Sequence, residues 1–195
     1  MPVQQSLWHW LHRPPWKPLM LALGLTCANL IQAGEVTQAT VDYVDGRFIL
    51  HTDVLIKAPT SQVRAILTRY EKLPQVHGGI KAVEILTPAA DGQTRMRVQS
   101  QVCILLICLH YQWVQTVRTL PSGDIVTEFD PGASDFREGW VRYRLLPEGE
   151  HTRLLMDARL TPDFWFPPVI GPWLIESKLR KEALATAWGV ERLAQ

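Results

Sequence analysis

The sequence predicts an α+β domain in which a curved antiparallel sheet wraps around one long C-terminal helix. Three observations predict this fold. A hairpin signal near the start is followed by short stretches with helical spacing, a series of alternating strand-like segments occupies the middle, and a long amphipathic stretch closes the chain. The predicted order of elements is therefore a hairpin, two short helices, a run of antiparallel strands and a final helix.

The composition excludes several classes of protein. The chain has 195 residues, of which 47% are hydrophobic and 20% charged, with a net charge of +1. This is ordinary globular composition, unlike that of a disordered, collagen-like or disulfide-dense small protein. The near-zero net charge argues against a nucleic-acid partner, which would require a surplus of basic residues. The length suits one domain, or one domain with an appendage.

The first 33 residues differ from the rest of the chain in charge. They contain Arg13 and Lys17 but no acidic residue, and 11 of the 15 residues from 19 to 33 are apolar. A membrane-spanning helix needs about 20 apolar residues, so this run is too short to be one. A basic start, a short apolar stretch and the small residue Ala33 are typical of a secretory signal peptide.

We therefore expect residues 1–33 to be a signal peptide that is cleaved, and residues 34–195 to be an exported, periplasmic domain. An uncleaved leader that anchors the protein at a membrane interface is the alternative. The domain has 18 basic and 19 acidic side chains, a net charge of −1, and two cysteines, Cys103 and Cys108. Disulfides persist in that compartment.

The N-terminal elements follow from turn and cap signals. Asp45-Gly46 between the strand-like runs 39–44 and 47–56 predicts a β-hairpin. Thr60 or Ser61 can cap a helix that buries Val63, Ile66 and Leu67. A second short helix or turn is expected over 70–74, ending at 77–79.

Later strands show clear alternation. Strands are expected over 80–87, 125–129, 138–146 and 152–160, with a turn over 88–93. In the last two strands, one face carries Val141, Tyr143, Leu145, Leu154, Met156, Ala158 and Leu160, and the other carries Arg142, Arg144, Arg153 and Arg159. Such a pattern indicates a half-buried antiparallel sheet.

Residues 94–119 must turn back without the usual turn residues. These 26 residues include no Gly, Pro, Asn or Asp, and a straight strand of this length would reach roughly 85 Å at ~3.3 Å per residue. A four-residue loop over 104–107 would place Cys103 opposite Cys108, within disulfide reach. The alternative is a strand that continues through this point, where the odd spacing would place the two cysteines on opposite faces and prevent a bridge.

A Pro- and aromatic-rich connection over 161–172 precedes the last helix, which is expected over 173–193. The inward stripe of that helix is predicted to be Ile175, Leu179, Ala183, Ala187 and Val190.

Two stretches of this sequence resemble a known superfamily. Residues 58–80, APTSQVRAILTRYEKLPQVHGGI, resemble START-like (SRPBCC) helix-grip proteins, which include polyketide cyclases/dehydrases and coenzyme-Q-binding START proteins. Residues 134–184, from SDFREGWVRYRLL to ESKLRKEAL, look like a bacterial exported branch of it. The resemblance implies the helix-grip fold and a hydrophobic pocket between the sheet and the C-terminal helix. It implies no catalytic motif, since members share a cavity rather than a chemistry.

The first functional hypothesis is an exported carrier of a hydrophobic small molecule, such as a lipid, quinone or sterol-like compound. Apolar burial is sufficient for affinity in such a pocket. From strand parity and the resemblance, the ligand-binding residues are predicted to be Leu67, Tyr70, Met96, Val98, Val141, Tyr143, Met156, Trp165, Leu179 and Ala183.

The second hypothesis is a cyclase or dehydratase that acts in the same pocket. It would use an acid–base pair, either His110 with Tyr111 or Asp157 with Tyr143. No recognisable catalytic arrangement supports it, so no catalytic residue is assigned. No phosphate-binding loop or HExxH motif is present, and the spacing of Cys103, Cys108 and His110 matches no zinc module. We expect no cofactor and no metal.

Two connections are apolar where loops are normally polar: 104–107 and 164–173. In helix-grip proteins these connections lie together near the cavity mouth. We expect an apolar rim that docks on a membrane or a partner and admits the ligand. The rim residues are Ile104, Leu105, Leu106, Ile107, Phe164, Trp165 and Phe166. The alternative is that residues 164–173 fold back and fill the core.

Overall fold

Eight strands of the described residues form one curved, unclosed antiparallel sheet, and the C-terminal helix packs against it. The computed structural model describes residues 35–90, 92–104, 107–165 and 171–195. The predicted signal peptide therefore lies outside the described residues. The strand order is β1-β2-β8-β7-β6-β5-β4-β3, which confirms the predicted fold class.

The elements have the following bounds. The strands are β1 (Glu35–Val44), β2 (Arg47–Ile56), β3 (Ile80–Ala90), β4 (Gln93–Ile104), β5 (Ile107–Thr119), β6 (Ile125–Phe129), β7 (Phe136–Glu148) and β8 (His151–Pro162). The helices are α1 (Thr60–Leu67), α2 (Leu73–Val76) and α3 (Gly171–Ala194), with 3₁₀ turns at Tyr70–Lys72 and Pro131–Ala133.

The first hairpin turns where the sequence predicts. Val44 pairs with Arg47, and the two residues between them have positive φ angles, 51° at Asp45 and 80° at Gly46. A two-residue turn of this kind needs two left-handed residues, which Asp-Gly adopts readily. The local sequence therefore sets the register of β1 and β2.

The predicted cap of α1 is wrong. The N-cap residue is Pro59, and no side chain caps the helix. The Thr60 hydroxyl instead lies 3.1 Å from Oγ1 of Thr152, which is fully buried and donates to the Ala58 carbonyl at 2.7 Å. Because a buried hydroxyl without a partner is costly, the long-range contact with β8 outweighs the local cap.

The hairpin between β4 and β5 is tighter than the expected four-residue loop. Ile104 pairs with Ile107, so both belong to strands rather than to the connection. Cys103 pairs with Cys108 one step further in, and their sulfurs are joined in a disulfide. The side chains of Ile104 and Ile107, and the whole of Leu105 and Leu106, lie outside the described residues.

Helix α3 makes a close backbone contact with α2. A Cβ atom built on Gly189 would lie 1.8 Å from the carbonyl oxygen of Val76, so the approach of the two helices requires glycine. Of the predicted inward stripe, Ala183, Ala187 and Val190 are buried, and Ile175 and Leu179 are partly buried. No helix in the described ranges has both the length and the apolar character needed to cross a membrane.

The face of the sheet turned away from α3 carries ion pairs. Arg144 lies 2.9 Å from Asp157, whose other oxygen is 2.7 Å from Nδ1 of His51. Arg142 pairs with Asp124, and Arg153 pairs with Asp53 at 3.0 Å. The predicted division of β7 and β8 into an apolar and a charged face is thus observed.

Candidate ligand-binding cavities

A cavity of about 720 Å³ lies between the sheet and α3, and we call it the larger cavity. It lies beside the first half of α3, and its walls are mainly apolar. The lining residues are Phe48, Val102, Leu109, His110, Tyr111, Asp135, Phe136, Leu160, Pro162, Asp163, Phe164, Trp165, Gly171, Leu174, Ile175, Lys178, Leu179 and Glu182. This volume is within the range of roughly 300–1,000 Å³ that suits a drug-sized ligand.

The carboxylates at the edge of the larger cavity have protein partners. Asp135 accepts a hydrogen bond from the backbone N–H of Gln112 at 2.7 Å, and Asp163 lies 3.3 Å from Nε of Arg137. Glu182 pairs with both Lys178 and His77. These groups are therefore held by the protein itself, which leaves the apolar surface as the main contact for a ligand.

The smaller cavity, of about 140 Å³, lies beneath α1, α2 and the second half of α3. It is lined by residues from all these helices and from the middle of the sheet. The lining residues are Leu67, Tyr70, Leu73, Val76, His77, Ile80, Val98, Trp113, Gln115, Val117, Ile125, Thr127, Phe129, Val141, Tyr143 and Thr186.

His77 and Glu182 connect the borders of the two cavities. The backbone N–H of Gly79 donates to Nδ1 of His77 at 3.1 Å, so Nε2 carries the proton that faces Glu182. The hydrogen bond from His77 lowers the pKa of Glu182 to about 2, and Lys178 adds to this effect. A Cβ on Gly79 would lie 2.5 Å from Cε1 of His77, so glycine is needed for this ring position.

Four aromatic rings separate the two cavities, and we call them the aromatic partition: Tyr111, Trp113, Phe129 and Phe136. Trp113 and Phe129 line the smaller cavity and stack with centroids 5.5 Å apart. Tyr111 and Phe136 line the larger cavity and meet edge to face at 5.9 Å. Tyr111 also stacks on Trp113 at 5.8 Å.

The partition is packed tightly against the sheet. A Cβ atom on Gly139 would lie 1.9 Å from the ring of Phe129, so this ring covers the bare backbone of β7. Glycine in a strand often marks such a close approach.

The predicted ligand-binding residues are divided between the cavities. Leu67, Tyr70, Val98, Val141 and Tyr143 line the smaller cavity, and Trp165 and Leu179 line the larger one.

Three predicted residues line neither cavity. Met96, Met156 and Ala183 are all buried, and Met96 has no exposed surface. Strand parity places a side chain on the inner face of the sheet, but it does not say whether another side chain covers it.

Sequence reasoning missed His77 and the aromatic partition. Two glycines directly after His77 were the sequence signal for that residue. The signal for the aromatic partition was the presence of aromatic residues at 111, 113, 129 and 136.

The two predicted acid–base pairs have different outcomes. His110 and Tyr111 both line the larger cavity, and burial raises the pKa of Tyr111. Asp157 lies on the charged outer face, whereas Tyr143 lines the smaller cavity, so the prediction that they act together is wrong. Adjacent pairs in β7 and β8 explain this, since Tyr143 faces Met156 while Arg142 faces Asp157. The described residues hold no cluster of His, Cys, Asp or Glu that could bind a metal ion.

The described part of the predicted rim has both packed and exposed rings. Phe164 lines the larger cavity, with its ring centroid 6.2 Å from that of Phe136. Trp165 also borders the cavity but is 82% exposed, and Trp173 at the start of α3 is 69% exposed. Phe166 lies outside the described residues.

The sequence profile of one family, described as polyketide cyclase/dehydrase and lipid transport, matches residues 56–187. No curated protein matches the chain.

Solved structures share its fold. An aromatase/cyclase from a Streptomyces species has 16% identity and a TM-score of 0.65 over 76% of this chain and 93% of its own. A STAR-related lipid transfer protein fragment from Xanthomonas axonopodis has 15% identity and a TM-score of 0.63 over 84% and 99%. A START superfamily protein from Mycobacterium smegmatis has 22% identity and a TM-score of 0.60 over 74% and 98%.

Proposed function

This chain belongs to the polyketide cyclase/dehydrase and lipid transport family, and we propose that it is an exported, non-enzymatic carrier of a hydrophobic small molecule. The ligand would be a lipid, a quinone or a sterol-like compound held between the sheet and α3. The observation that carries this proposal is the cavity of about 720 Å³ with mainly apolar walls.

Affinity in such a site needs no catalytic group. Each methylene buried in an apolar pocket contributes about 0.8 kcal/mol, so one alkyl chain can account for tight binding. The charged groups at the cavity edge support the same reading, because Asp135, Asp163, Lys178 and Glu182 all have partners within the protein. An uncharged apolar ligand would leave those pairs undisturbed.

The carrier proposal is tested by filling the larger cavity. Leu179→Trp places an indole in the cavity, whereas Leu193→Trp adds the same group at an exposed position on the same helix. Native mass spectrometry of protein isolated from its own periplasm should show bound ligand in the wild type and in Leu193→Trp, and little in Leu179→Trp. A wild-type protein that stays empty after exposure to membrane lipids would contradict the proposal.

Export is supported by the composition of residues 1–33 and by the disulfide between Cys103 and Cys108, which suits an oxidising compartment. Cell fractionation tests it. The full chain should yield a periplasmic protein that begins at Gly34, and the chain without residues 1–33 should stay in the cytoplasm. An intact leader in the membrane fraction would favour the anchor alternative.

We further propose that the rim contacts a membrane surface when the ligand is exchanged. Trp165 and Trp173 support this, since both are large, mostly exposed rings and Trp165 borders the larger cavity. Co-sedimentation with vesicles of phosphatidylethanolamine and phosphatidylglycerol should weaken in Trp165→Ser and Trp173→Ser. Trp188→Ser, an exposed position in the second half of α3, is the matched control. Unchanged binding in Leu105→Ser/Trp165→Ser would contradict docking.

A second candidate function is cyclisation of a polyketide-like substrate, favoured by one observation. His110 and Tyr111 are neighbours in β5, and both line the larger cavity. Incubation with a linear poly-β-ketone thioester, followed by mass spectrometry, tests for loss of water. Activity that disappears in His110→Gln or Tyr111→Phe, with ligand binding retained, would replace the carrier proposal.

A further inference from the structure

The smaller cavity contains polar side chains that have no partner within the described residues. The hydroxyls of Tyr70, Thr127 and Tyr143 make no hydrogen bond to a described residue, although all three residues line the cavity. Gln115 accepts a hydrogen bond from Trp113 Nε1 at 2.7 Å through its oxygen, which leaves its amide N–H groups open to the cavity. Thr127 and Gln115 are only 5% and 8% exposed.

This arrangement indicates a binding surface rather than ordinary core packing. A buried polar group without a partner costs free energy, so such groups normally face water or a ligand. Among the described residues, one side-chain polar atom is sealed from solvent without a partner, Nε of Arg144, and it belongs to the charged outer face. The unpaired groups of the smaller cavity therefore remain reachable from inside it.

The size and charge of the cavity limit what it can hold. An apolar cavity of about 150 Å³ holds a benzene ring, and this one measures about 140 Å³. Its lining includes no Lys, Arg, Asp or Glu, and His77 is already paired with Glu182. A charged group inside would lack a counter-charge, which is strongly unfavourable.

The hydroxyls are suited to neutral oxygen atoms. Burial raises the pKa of Tyr143 to about 12 and also raises that of Tyr70, so both hydroxyls stay protonated at neutral pH. Each can donate to a carbonyl or accept from a hydroxyl. Trp113 and Phe129, which stack on each other, add apolar contact surface to the wall of the cavity.

We propose that the smaller cavity binds the neutral polar head of the ligand, a six-membered ring that carries a hydroxyl or carbonyl oxygen. The apolar remainder of the ligand would then reach the larger cavity only if rings of the aromatic partition moved apart, since these rings pack on one another. This rests on the proposed carrier function and restricts it, because it excludes ligands whose only polar head is charged.

Three probes of one chain length test the proposal: 4-hexylphenol, hexylbenzene and 4-hexylbenzoate. Calorimetric titration of the mature protein should give a dissociation constant about tenfold lower for 4-hexylphenol than for hexylbenzene, as expected for a hydrogen bond made in a buried site. The benzoate should bind at least about tenfold more weakly than the phenol.

The variants identify the cavity that is responsible. Tyr143→Phe/Thr127→Val should remove the preference for 4-hexylphenol over hexylbenzene, and a circular dichroism spectrum like that of the wild type shows that the variant is folded. Thr116→Val is the matched control, because Thr116 lies between the cavity-lining Gln115 and Val117 and so faces the other side of the sheet. If the double variant does not fold, Tyr143→Phe alone should lose most of the preference.

The outcomes separate this inference from the proposed function. Equal affinity for phenol and hexylbenzene, or a preference that survives in the variants, overturns the inference and leaves the carrier proposal standing. The same holds if the protein carries a native ligand but binds none of the three probes. If it binds no probe and also carries nothing from its own periplasm, both proposals fail.

Discussion

The two cavities lie against the same helix, yet their walls are built differently. The smaller cavity is lined by residues of the packed core, and the hydroxyls of Tyr70, Thr127 and Tyr143 in its wall make no hydrogen bond to a described residue. The larger cavity is bordered by exposed rings such as Trp165 and by carboxylates already held in ion pairs. A packed wall can discriminate between ligands by hydrogen bonding, whereas an exposed apolar wall favours entry. The difference predicts that substitutions beside the smaller cavity have the greater effect on stability.

The largest effect is expected where α3 meets α2, at the edge of the smaller cavity. Gly189→Ala should lower the free energy of unfolding by about 3 kcal/mol, because the new methyl group overlaps backbone atoms of Val76 that cannot rotate away. Urea denaturation measures this. Gly78→Ala is the control, since a Cβ there meets no atom within 4 Å. A Gly189→Ala protein as stable as the control would show that the two helices separate easily.

An intermediate effect is expected beside the larger cavity, at the hairpin closed by Cys103 and Cys108. Cys103→Ser/Cys108→Ser should lower the free energy of unfolding by about 2 kcal/mol, the loop-closure value for such a short ring. A reductant should destabilise the wild type in the same urea experiment but leave the double variant unaffected. Equal sensitivity of both proteins would mean that packing, not the bond, holds this hairpin.

The smallest effect concerns Glu182, which joins the borders of the two cavities. Its pKa is lowered to about 2 in the folded protein, mainly by the hydrogen bond from His77, so its stabilising contribution is complete above pH 4.5 and is lost as the pH falls toward 2. Glu182→Gln should therefore lower the free energy of unfolding by about 1 kcal/mol at neutral pH, a small effect because the carboxylate is partly exposed. Between pH 4.5 and pH 2, the stability of this variant should fall less steeply than that of the wild type.

Thermal melts between pH 2 and pH 7 measure the contribution of Glu182. Glu176→Gln, on the same helix but outside any ion pair of the described residues, should keep the slope of the wild type. If the melting temperature of Glu182→Gln changed with pH as steeply as that of the wild type, other carboxylates would be responsible for the acid sensitivity.

Local signals in the sequence predicted most of the fold. Asp45-Gly46 determines the first turn, and the alternation over 138–160 determines which face of β7 and β8 meets α3. The spacing of Ile175, Leu179, Ala183 and Ala187 predicts the helix that covers this face. Such patterns are readable because helix and strand periodicities depend on the chain itself.

The candidate site was less predictable. Five of the predicted residues line one cavity and two line the other, while Met96 is sealed in the core although its parity is correct. Likewise, Asp157 and Tyr143 were predicted to act as a pair, but they lie on opposite faces of the sheet. Alternation along one strand shows which face a side chain is on. Whether that side chain lines a cavity depends on the residues that other elements pack over it.

The sequence by itself determined the order of the elements and the inward faces of β7, β8 and α3, but it left open whether the chain turns between the two cysteines. Only the tertiary structure decided where the larger and the smaller cavity lie, and which polar atoms remain unpaired inside the smaller one. The reason is physical. A cavity is space that no side chain fills, and its limits depend on long-range contacts such as Gly189 with Val76 and Gly139 with Phe129.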